Sequence, residues 1–434
     1  MATRRTWVCR LVFLLASLQL VACGGGSGTT EPFSARIVRT SFGVPHVVAD
    51  DFGGLGYGAG YAYAQDNYCV LMREVIVASG ESARWFGEEE GNVSKDVVFT
   101  FFNNDTFIEQ EFLAGATDEL QALIRGYAAG MNRYLGETGV DGLPEGPEGC
   151  RGAPWVREIS DVDLGKVYWK LTVLAGIDAT DVLITGADDV APMQSMASAS
   201  PARLESRSLN KGALGLREPE EIGSNAYAIG AAGPQTGSGL LLGNSHFPWQ
   251  GSQRWYVQRL TIPGVYDVLG SSLQGVPVVN IGFNEGMAWG HTSSTGQRFG
   301  LFELELVEGN PYQYLYDGEV RDIEVSPVTM GVVGAEGNVE ERTSNIYMSH
   351  FGPLVNLAPL SELAGGWPTI AGTAFALRDA NIDNSRILDQ FKTMGQARSV
   401  IGDRDLHFRL TQARAASVPR PASADLHHLN PSRP

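Results

Sequence analysis

The stretch Gly223-Ser224-Asn225-Ala226-Tyr227-Ala228-Ile229-Gly230 divides this sequence into two unlike parts. The residues before it are small and polar over 193–202 and highly charged over 203–221, which is typical of a poorly structured segment. The residues after it alternate between apolar and polar side chains, as β-strands do. The stretch therefore predicts a junction between a spacer and a strand-rich core.

The Gly223–Ser224 peptide bond is of the type that a self-cleaving precursor requires. Glycine has no Cβ, so a strained conformation before Ser224 costs little. The Ser224 hydroxyl can attack the preceding carbonyl carbon and shift the acyl group from nitrogen to oxygen. Cleavage frees an α-amino group, with a reference pKa of about 7.7–8.0, which can act as general base for the same hydroxyl. An ordinary turn is the alternative on this dipeptide alone.

Longer motifs around the junction carry a family resemblance. Gly-Ser-Asn-Ala-Tyr-Ala resembles the processing site of the penicillin acylase superfamily of N-terminal-nucleophile hydrolases. The acyl-homoserine-lactone acylase and aculeacin A acylase branch is similar in four further segments, Leu241-Leu242-Gly243-Asn244-Ser245-His246-Phe247-Pro248-Trp249-Gln250-Gly251, Tyr256 through Leu273, Gly275-Val276-Pro277-Val278-Val279-Asn280-Ile281-Gly282-Phe283-Asn284 and Ala288-Trp289-Gly290-His291-Thr292. The similarity extends over about 35–400, and this combination of motifs is specific.

The resemblance implies roles for three residues. Ser224 is the expected nucleophile, and the imidazole of His246 is expected to assist its α-amino group. A structural histidine bonded to backbone is the alternative for His246. The backbone N–H of Ser293, where the family more often has valine, is the expected oxyanion donor. The family's second donor, an asparagine side chain further downstream, has no matching motif in this sequence.

The resemblance also implies an acyl-binding pocket, for which Phe247, Trp249 and Trp289 are the aromatic candidates. Packing in the core is the alternative, with at least equal weight for Trp289. Some penicillin acylases bind calcium through carboxylates after the oxyanion loop, but Thr295-Gly296-Gln297-Arg298-Phe299-Gly300 contains none. We therefore expect no metal and no cofactor.

Composition limits the possible partners. The chain has 434 residues, 43% of them hydrophobic and 19% charged, which is typical of a globular protein with a sizeable core. Its formal net charge is −17, which argues against nucleic acid as a partner because phosphate binding requires a basic surface.

The N-terminus predicts export and lipidation. Arg4, Arg5 and Arg10 precede an apolar run over 11–22 that is too short to span a bilayer. Leu-Val-Ala-Cys23 ends this run and resembles a bacterial lipobox, with 24–34 as a flexible tether. We expect a signal peptide over 1–23 and a periplasmic protein anchored to a membrane through lipidated Cys23. A plain secretory signal is the alternative.

Two cysteines remain after the leader. Cys69 and Cys150 form an even pair in an exported, oxidising environment, which favours a disulfide over two buried thiols.

The expected fold class is α+β. The family implies an αββα sandwich of stacked antiparallel sheets, here incomplete. We expect a helical α-chain block over 35–191, with helices over Gly56–Phe86 and Asp161–Ala187, and a spacer or propeptide over 192–223. A truncated β-chain core is expected over 224–400, with one of its strands over Val278–Phe283. The Ala-, Pro-, Arg- and Ser-rich tail over 401–434 is expected to be disordered, as a frameshifted or truncated end would be.

Together these features predict an autoproteolytic amidohydrolase. Its substrate is expected to be a small acyl amide such as an acyl-homoserine lactone, a penicillin or a lipopeptide, with a long acyl chain favoured. The mature form is expected to be an α/β heterodimer cut from one precursor. A non-catalytic acyl-binding lipoprotein and an inactive truncated precursor are the alternatives.

Overall fold

The computed structural model describes residues 33–174, 177, 180–189, 223–235, 237–273, 275–292, 298–358, 367 and 372–400. The helices are α1 Phe52–Ala78, α2 Ser82–Phe86, α3 Asn92–Phe102, α4 Asp105–Phe107, α5 Asp118–Thr138, α6 Asp161–Thr172, α7 Asp181–Asp189 and α8 Ile387–Gln396. The strands before the spacer are β1 Arg36–Arg39 and β2 Pro45–Val48. Those after it are β3 Gly223–Ile229, β4 Leu240–His246, β5 Trp255–Ile262, β6 Tyr266–Leu273, β7 Ile281–Phe283, β8 Ala288–Trp289, β9 Phe299–Val307, β10 Asn310–Tyr316, β11 Glu319–Asp322, β12 Glu324–Val333, β13 Val339–Ser349, β14 Gly352–Pro353 and β15 Thr373–Asp379.

Helices α1 and α5 pack together through glycines. Gly56 and Gly60 on α1 face α5, and Gly126 and Gly130 on α5 face α1, each pair spaced one turn apart. A methyl group on Gly60 would lie 2.9 Å from the Cα of Tyr127, so the two backbones are too close for any side chain. The glycines that weaken the helical pattern of α1 in the sequence are therefore what lets the two helices touch.

Side-chain hydrogen bonds cap the starts of helices α1 and α6. The Asp51 carboxylate accepts from the Gly54 N–H at 2.7 Å and caps α1. Ser160 and Asp163 form a capping box at the start of α6, with the Asp163 carboxylate accepting from the Ser160 N–H at 2.8 Å. No helix among the described residues is long and apolar enough to cross a membrane.

The largest sheet combines strands from both sides of the spacer. Its order is β1-β2-β5-β6-β7-β8, and β2 lies parallel to β5, with His46 beside Arg259. All other described pairs are antiparallel, including the sheets β11-β10-β9-β15 and β12-β13-β14. The main hydrophobic core likewise contains residues of both parts, such as Leu71, Tyr127, Val278 and Leu388.

The α+β class is confirmed, with differences in detail. One helix was expected over Gly56–Phe86, but the structure has α1 and α2, separated by a turn at Gly80 with φ +70°. The helix expected over Asp161–Ala187 is also two helices, α6 and α7. Between them, the Ile177 N–H donates to the buried Asp379 carboxylate at 3.0 Å instead of continuing a helix.

Candidate active site around Ser224

Strands β3 and β4 form the hairpin that carries the predicted nucleophile. In its register Gly223 lies opposite His246, Ser224 opposite Ser245 and Asn225 opposite Asn244. Cross-strand Cα atoms in antiparallel pairs are about 4.5–5.5 Å apart, so the Gly223–Ser224 bond lies beside the end of β4. The register thus places the backbone of Ser224 one residue away from the position opposite His246, and the roles of both residues stay predictions.

The His246 ring binds two asparagines that the sequence reasoning missed. Its Nε2 lies 3.1 Å from the Nδ2 atom of Asn244 and 3.4 Å from that of Asn225. With both amides oriented as donors, Nε2 is the acceptor of both hydrogen bonds. Only the register reveals this pair, because Asn225 and Asn244 stand directly opposite each other.

Strand alternation separates the side chains of Ser224 and His246. Residues 225 and 244 share one face of the hairpin with His246, whereas Ser224 shares the other face with Ala226 and Gly243. A direct proton transfer from the Ser224 hydroxyl to the imidazole is therefore not what this arrangement favours.

The other hairpin face packs on the end of the six-stranded sheet. A methyl group on Gly290 would lie 3.8 Å from the Ala226 Cβ and 3.9 Å from Leu241 and Ile281. Gly290 directly precedes His291, and the predicted oxyanion residue Ser293 follows two residues after His291. Ser293 itself lies outside the described residues, so its role stays a prediction.

His291 contributes to an aromatic group beside this loop. Its ring lies 6.3 Å from Trp255 and 5.6 Å from Phe391, and burial lowers the pKa of His291 below its usual value. The imidazole is therefore neutral at pH 7. Trp255 also packs edge-on against Phe247, with ring centroids 5.6 Å apart.

The three aromatic pocket candidates occupy different environments. Phe247 is partly buried against Trp255, as a pocket wall would be. Trp249 is 94% exposed on the loop that follows β4. Trp289 is 5% exposed, and its indole N–H donates to the Val279 carbonyl at 3.4 Å, so core packing, the alternative reading, describes its position.

Two buried polar atoms at and just before the start of β5 have no protein partner among the described residues. They are the indole nitrogen of Trp255 and the side-chain oxygen of Gln253, both buried. A buried donor and a buried acceptor without partners are available to a ligand. Neither residue was singled out from the sequence, because an isolated Trp or Gln carries no motif.

The first and second parts of the chain also meet at a cavity of about 430 Å³. Neither Ser224 nor His246 lines it, so it is distinct from the hairpin. The residues that line it lie on α1, on the loop 144–149 and just before β5: Asp66, Asn67, Tyr68, Cys69, Val70, Pro144, Glu145, Pro147, Glu148, Gly149, Gln250 and Arg254. Within the described ranges, no cluster of His, Cys, Asp or Glu side chains could hold a metal ion.

A disulfide joins Cys69 on α1 to Cys150, the pair expected from the sequence, with their Cα atoms 5.4 Å apart. It fixes the loop 144–150 to the middle of α1. Cys23 lies outside the described residues, and its lipidation stays a prediction.

Known proteins of similar sequence are acylases. The chain is 40% identical over 406 residues to the acyl-homoserine lactone acylase PvdQ of Pseudomonas fluorescens strain Pf-5, covering 91% of this chain and 50% of that protein. It is 38% identical over 377 residues to the aculeacin-A acylase of Actinoplanes utahensis, covering 85% and 46%. The chain thus spans about half the length of the curated relatives it matches.

A solved structure that matches is the thermostable penicillin G acylase from Alcaligenes faecalis. It has a TM-score of 0.34 and 20% sequence identity, over 42% of this chain and 30% of that chain. The sequence model of the penicillin amidase family matches residues 34–405, which include every described residue of the Ser224 hairpin. With this match over most of its length, the chain belongs to the penicillin amidase family.

Proposed function

We propose that this chain is the precursor of an amidohydrolase that cleaves itself after Gly223 and then uses Ser224 to remove an acyl group from an amine. One observation carries the proposal: the register of β3 and β4, which sets the Gly223–Ser224 bond directly beside His246. The names of the relatives, an acyl-homoserine lactone acylase and an aculeacin acylase, support the reaction class.

The first step is self-cleavage. The Ser224 hydroxyl attacks the Gly223 carbonyl carbon, the C–N bond breaks, and the amide nitrogen takes the hydroxyl proton to become the α-amino group. Water then hydrolyses the resulting ester and leaves a free carboxylate on Gly223. Two chains result, which we expect to remain together as an α/β heterodimer, because β2 and β5 belong to one sheet.

The second reaction uses the new N-terminus. The free amine takes the proton of the Ser224 hydroxyl as the oxygen attacks the substrate carbonyl carbon. The tetrahedral oxyanion is stabilised by backbone N–H groups, for which we propose Ser293 and His246. The amine leaving group departs with a proton, and water hydrolyses the acyl-enzyme to a free acid.

The hydrogen bonds of His246 support its part in this step. Asn225 and Asn244 donate to Nε2 and hold the ring on one face of the hairpin, from which we propose that it assists the future α-amino group. The ring can then adjust the protonation of that amine, directly or through water.

We propose an acyl amide with a long apolar chain as substrate. Phe247 and Trp255 form an apolar aromatic wall, and the Trp255 N–H, which has no protein partner among the described residues, offers one donor to the substrate's polar part.

We further propose that the protein is exported to the periplasm and held at a membrane by lipid on Cys23. The Leu-Val-Ala-Cys sequence after an apolar run supports this. Metabolic labelling with a radioactive fatty acid should mark the wild type but not a Cys23→Ser variant. Label retained in that variant would refute the anchor.

Intact mass spectrometry of the expressed chain tests the proposed function. The wild type should give a fragment beginning at Ser224, while Ser224→Ala should remain a single chain. The cleaved protein is then assayed for release of free amine from acyl-homoserine lactones of different chain lengths. A wild type that stays uncleaved would refute the enzyme and favour an acyl-binding protein.

A further inference from the structure

The carboxylate of Glu148, a residue far from Ser224 in the sequence, binds the loop that follows His246. Glu148 accepts a hydrogen bond from the Gly251 N–H at 2.6 Å through Oε1 and one from the Arg254 guanidinium at 2.8 Å through Oε2. Both donors belong to the part of the chain after the junction, whereas Glu148 belongs to the part before it. The two bonds therefore connect the two chains that the proposed cleavage would produce.

Glu148 is itself held in a fixed place. Cys150, two residues on, is bonded to Cys69 in the middle of α1. The Cys150 N–H donates to the Pro144 carbonyl at 3.0 Å, which closes the loop 144–150 into a tight turn. A methyl group on Gly149 would lie 2.5 Å from the Glu145 carbonyl carbon, so this turn has no room for another residue type.

Arg254 is also held by Asn67, which lies at a break in helix α1. Asn67 has φ −145° and ψ 25°, which are not helical values, and its side-chain oxygen accepts a hydrogen bond from the other Arg254 nitrogen. The guanidinium thus bridges Glu148 and Asn67. Because Cys69 lies two residues beyond Asn67, the disulfide and both acceptors form one assembly, which we call the Glu148 bracket: Asn67, Cys69, Glu148 and Cys150.

The segment that Glu148 holds connects His246, the proposed base-assisting residue, to Trp255 of the aromatic wall. The loop 247–254 begins directly after His246 and ends directly before Trp255. Its first residue, Phe247, packs on Trp255, which follows its last, so the loop closes on itself at the aromatic wall. The bracket binds this loop at its middle, Gly251, and at its end, Arg254.

Alternation assigns opposite directions to neighbouring side chains at the start of β5. Arg254 points to α1 and the bracket, so Trp255 points the other way, to Phe247 and His291. Tyr256 again points to α1, where its hydroxyl donates to the Asp66 carboxylate at 2.8 Å. Fixing Arg254 therefore fixes the direction of the Trp255 ring.

We propose that Glu148 is a positioning residue that sets the acyl-binding wall, Phe247 and Trp255, by holding the loop 247–254 against α1. This inference rests on the proposed function for its catalytic consequence, but not for its structural one. Glu148 does not touch the nucleophile, which lies on β3. Losing it should weaken binding of long acyl chains and leave self-cleavage intact.

Hydrogen–deuterium exchange of the full chain tests the structural part. In Glu148→Ala, peptides covering 247–254 should exchange about 3- to 10-fold faster, between the effect of an exposed ion pair and that of a buried charged hydrogen bond, because the side chain is partly exposed. Glu148→Gln keeps an acceptor for Gly251 but loses the charge facing Arg254, so it should fall between. Glu145→Ala is the matched control, since this residue of the same turn pairs with Arg151 instead. Unchanged exchange in Glu148→Ala would overturn the proposal.

Steady-state kinetics test the catalytic part. With long-chain acyl amides, Glu148→Ala should raise KM about 3- to 10-fold while kcat changes by about twofold or less. Short-chain amides, which do not reach the wall, should show a smaller change in KM. A fall in kcat with unchanged KM would refute the role in acyl positioning. A wild type that never cleaves would refute the proposed function alone, because the exchange experiment still decides whether Glu148 holds the loop.

Discussion

Replacing Gly126 with alanine should destabilise the helical block, although alanine is the better helix former. A methyl group there would lie 2.9 Å from both the Gly53 carbonyl carbon and the Tyr57 backbone nitrogen. These are backbone atoms, which cannot rotate away, so α1 and α5 must move apart. Overpacking of this kind costs about 1–3 kcal/mol, and helix propensity returns about 0.5–1 kcal/mol. Since both neighbours are backbone, we expect a net loss of about 2 kcal/mol.

Thermal unfolding followed by circular dichroism measures this effect. A loss of this size in a chain of this length should lower the midpoint by about 2–4 °C. Gly136→Ala is the matched control on the same helix, because no atom lies within 4 Å of the added methyl group. That variant should be unchanged or more stable by about 0.5 kcal/mol. If Gly126→Ala were as stable as Gly136→Ala, the close backbone packing of α1 on α5 would be refuted.

Three further predictions concern pH, redox state and the end of the first block. Burial raises the pKa of Asp96 to about 6, so its contribution to stability is present below about pH 4 and lost as pH rises through 6. In urea denaturation, the free energy of unfolding of Asp96→Asn relative to the wild type should rise by about 1–3 kcal/mol as the pH rises from about 4 through 6. A difference between the two proteins that does not change with pH would contradict this. Reducing the Cys69–Cys150 bond with dithiothreitol should cost about 2–4 kcal/mol of stability, while a Cys69→Ser/Cys150→Ser variant should not respond to the reagent. Asp188→Ala removes the carboxylate that accepts from the Asn345 N–H at 2.9 Å and should lower the free energy of unfolding by about 1–3 kcal/mol. Limited proteolysis should then cut α7 sooner than in the wild type. An unchanged cutting rate would argue against this contact as an anchor of α7.

The sequence predicted strands after the junction because that information is local. Glycines, an alternating strand and the motif after Leu241 are neighbours along the chain, and the structure pairs them as β3 and β4. The roles of Ser224, His246 and Ser293 nevertheless came from resemblance, and no contact seen here assigns them. The faces of the hairpin, which separate the Ser224 and His246 side chains, required the register.

Only the disulfide of the Glu148 bracket could be predicted from the sequence. The hydrogen bonds of Glu148 to Gly251 and Arg254 join residues more than a hundred positions apart, and neither Glu148 nor Asn67 stands in a motif. The strand expected over Val278–Phe283 failed for a similar reason. Only Ile281–Phe283 pairs, while Val278 and Val279 are buried in irregular backbone that accepts the Trp289 indole N–H.

The parallel pairing of β2 with β5 has a consequence for the order of folding during synthesis. The ribosome releases β2 early, but its partner is encoded about 210 residues later. At about 5–20 residues per second, β2 waits roughly 10–40 s before that partner emerges. The six-stranded sheet, and the hairpin that packs on its end, are therefore late products of translation. On the proposed function, self-cleavage would then follow the completion of this sheet, because the hairpin that carries the Gly223–Ser224 bond packs on its end.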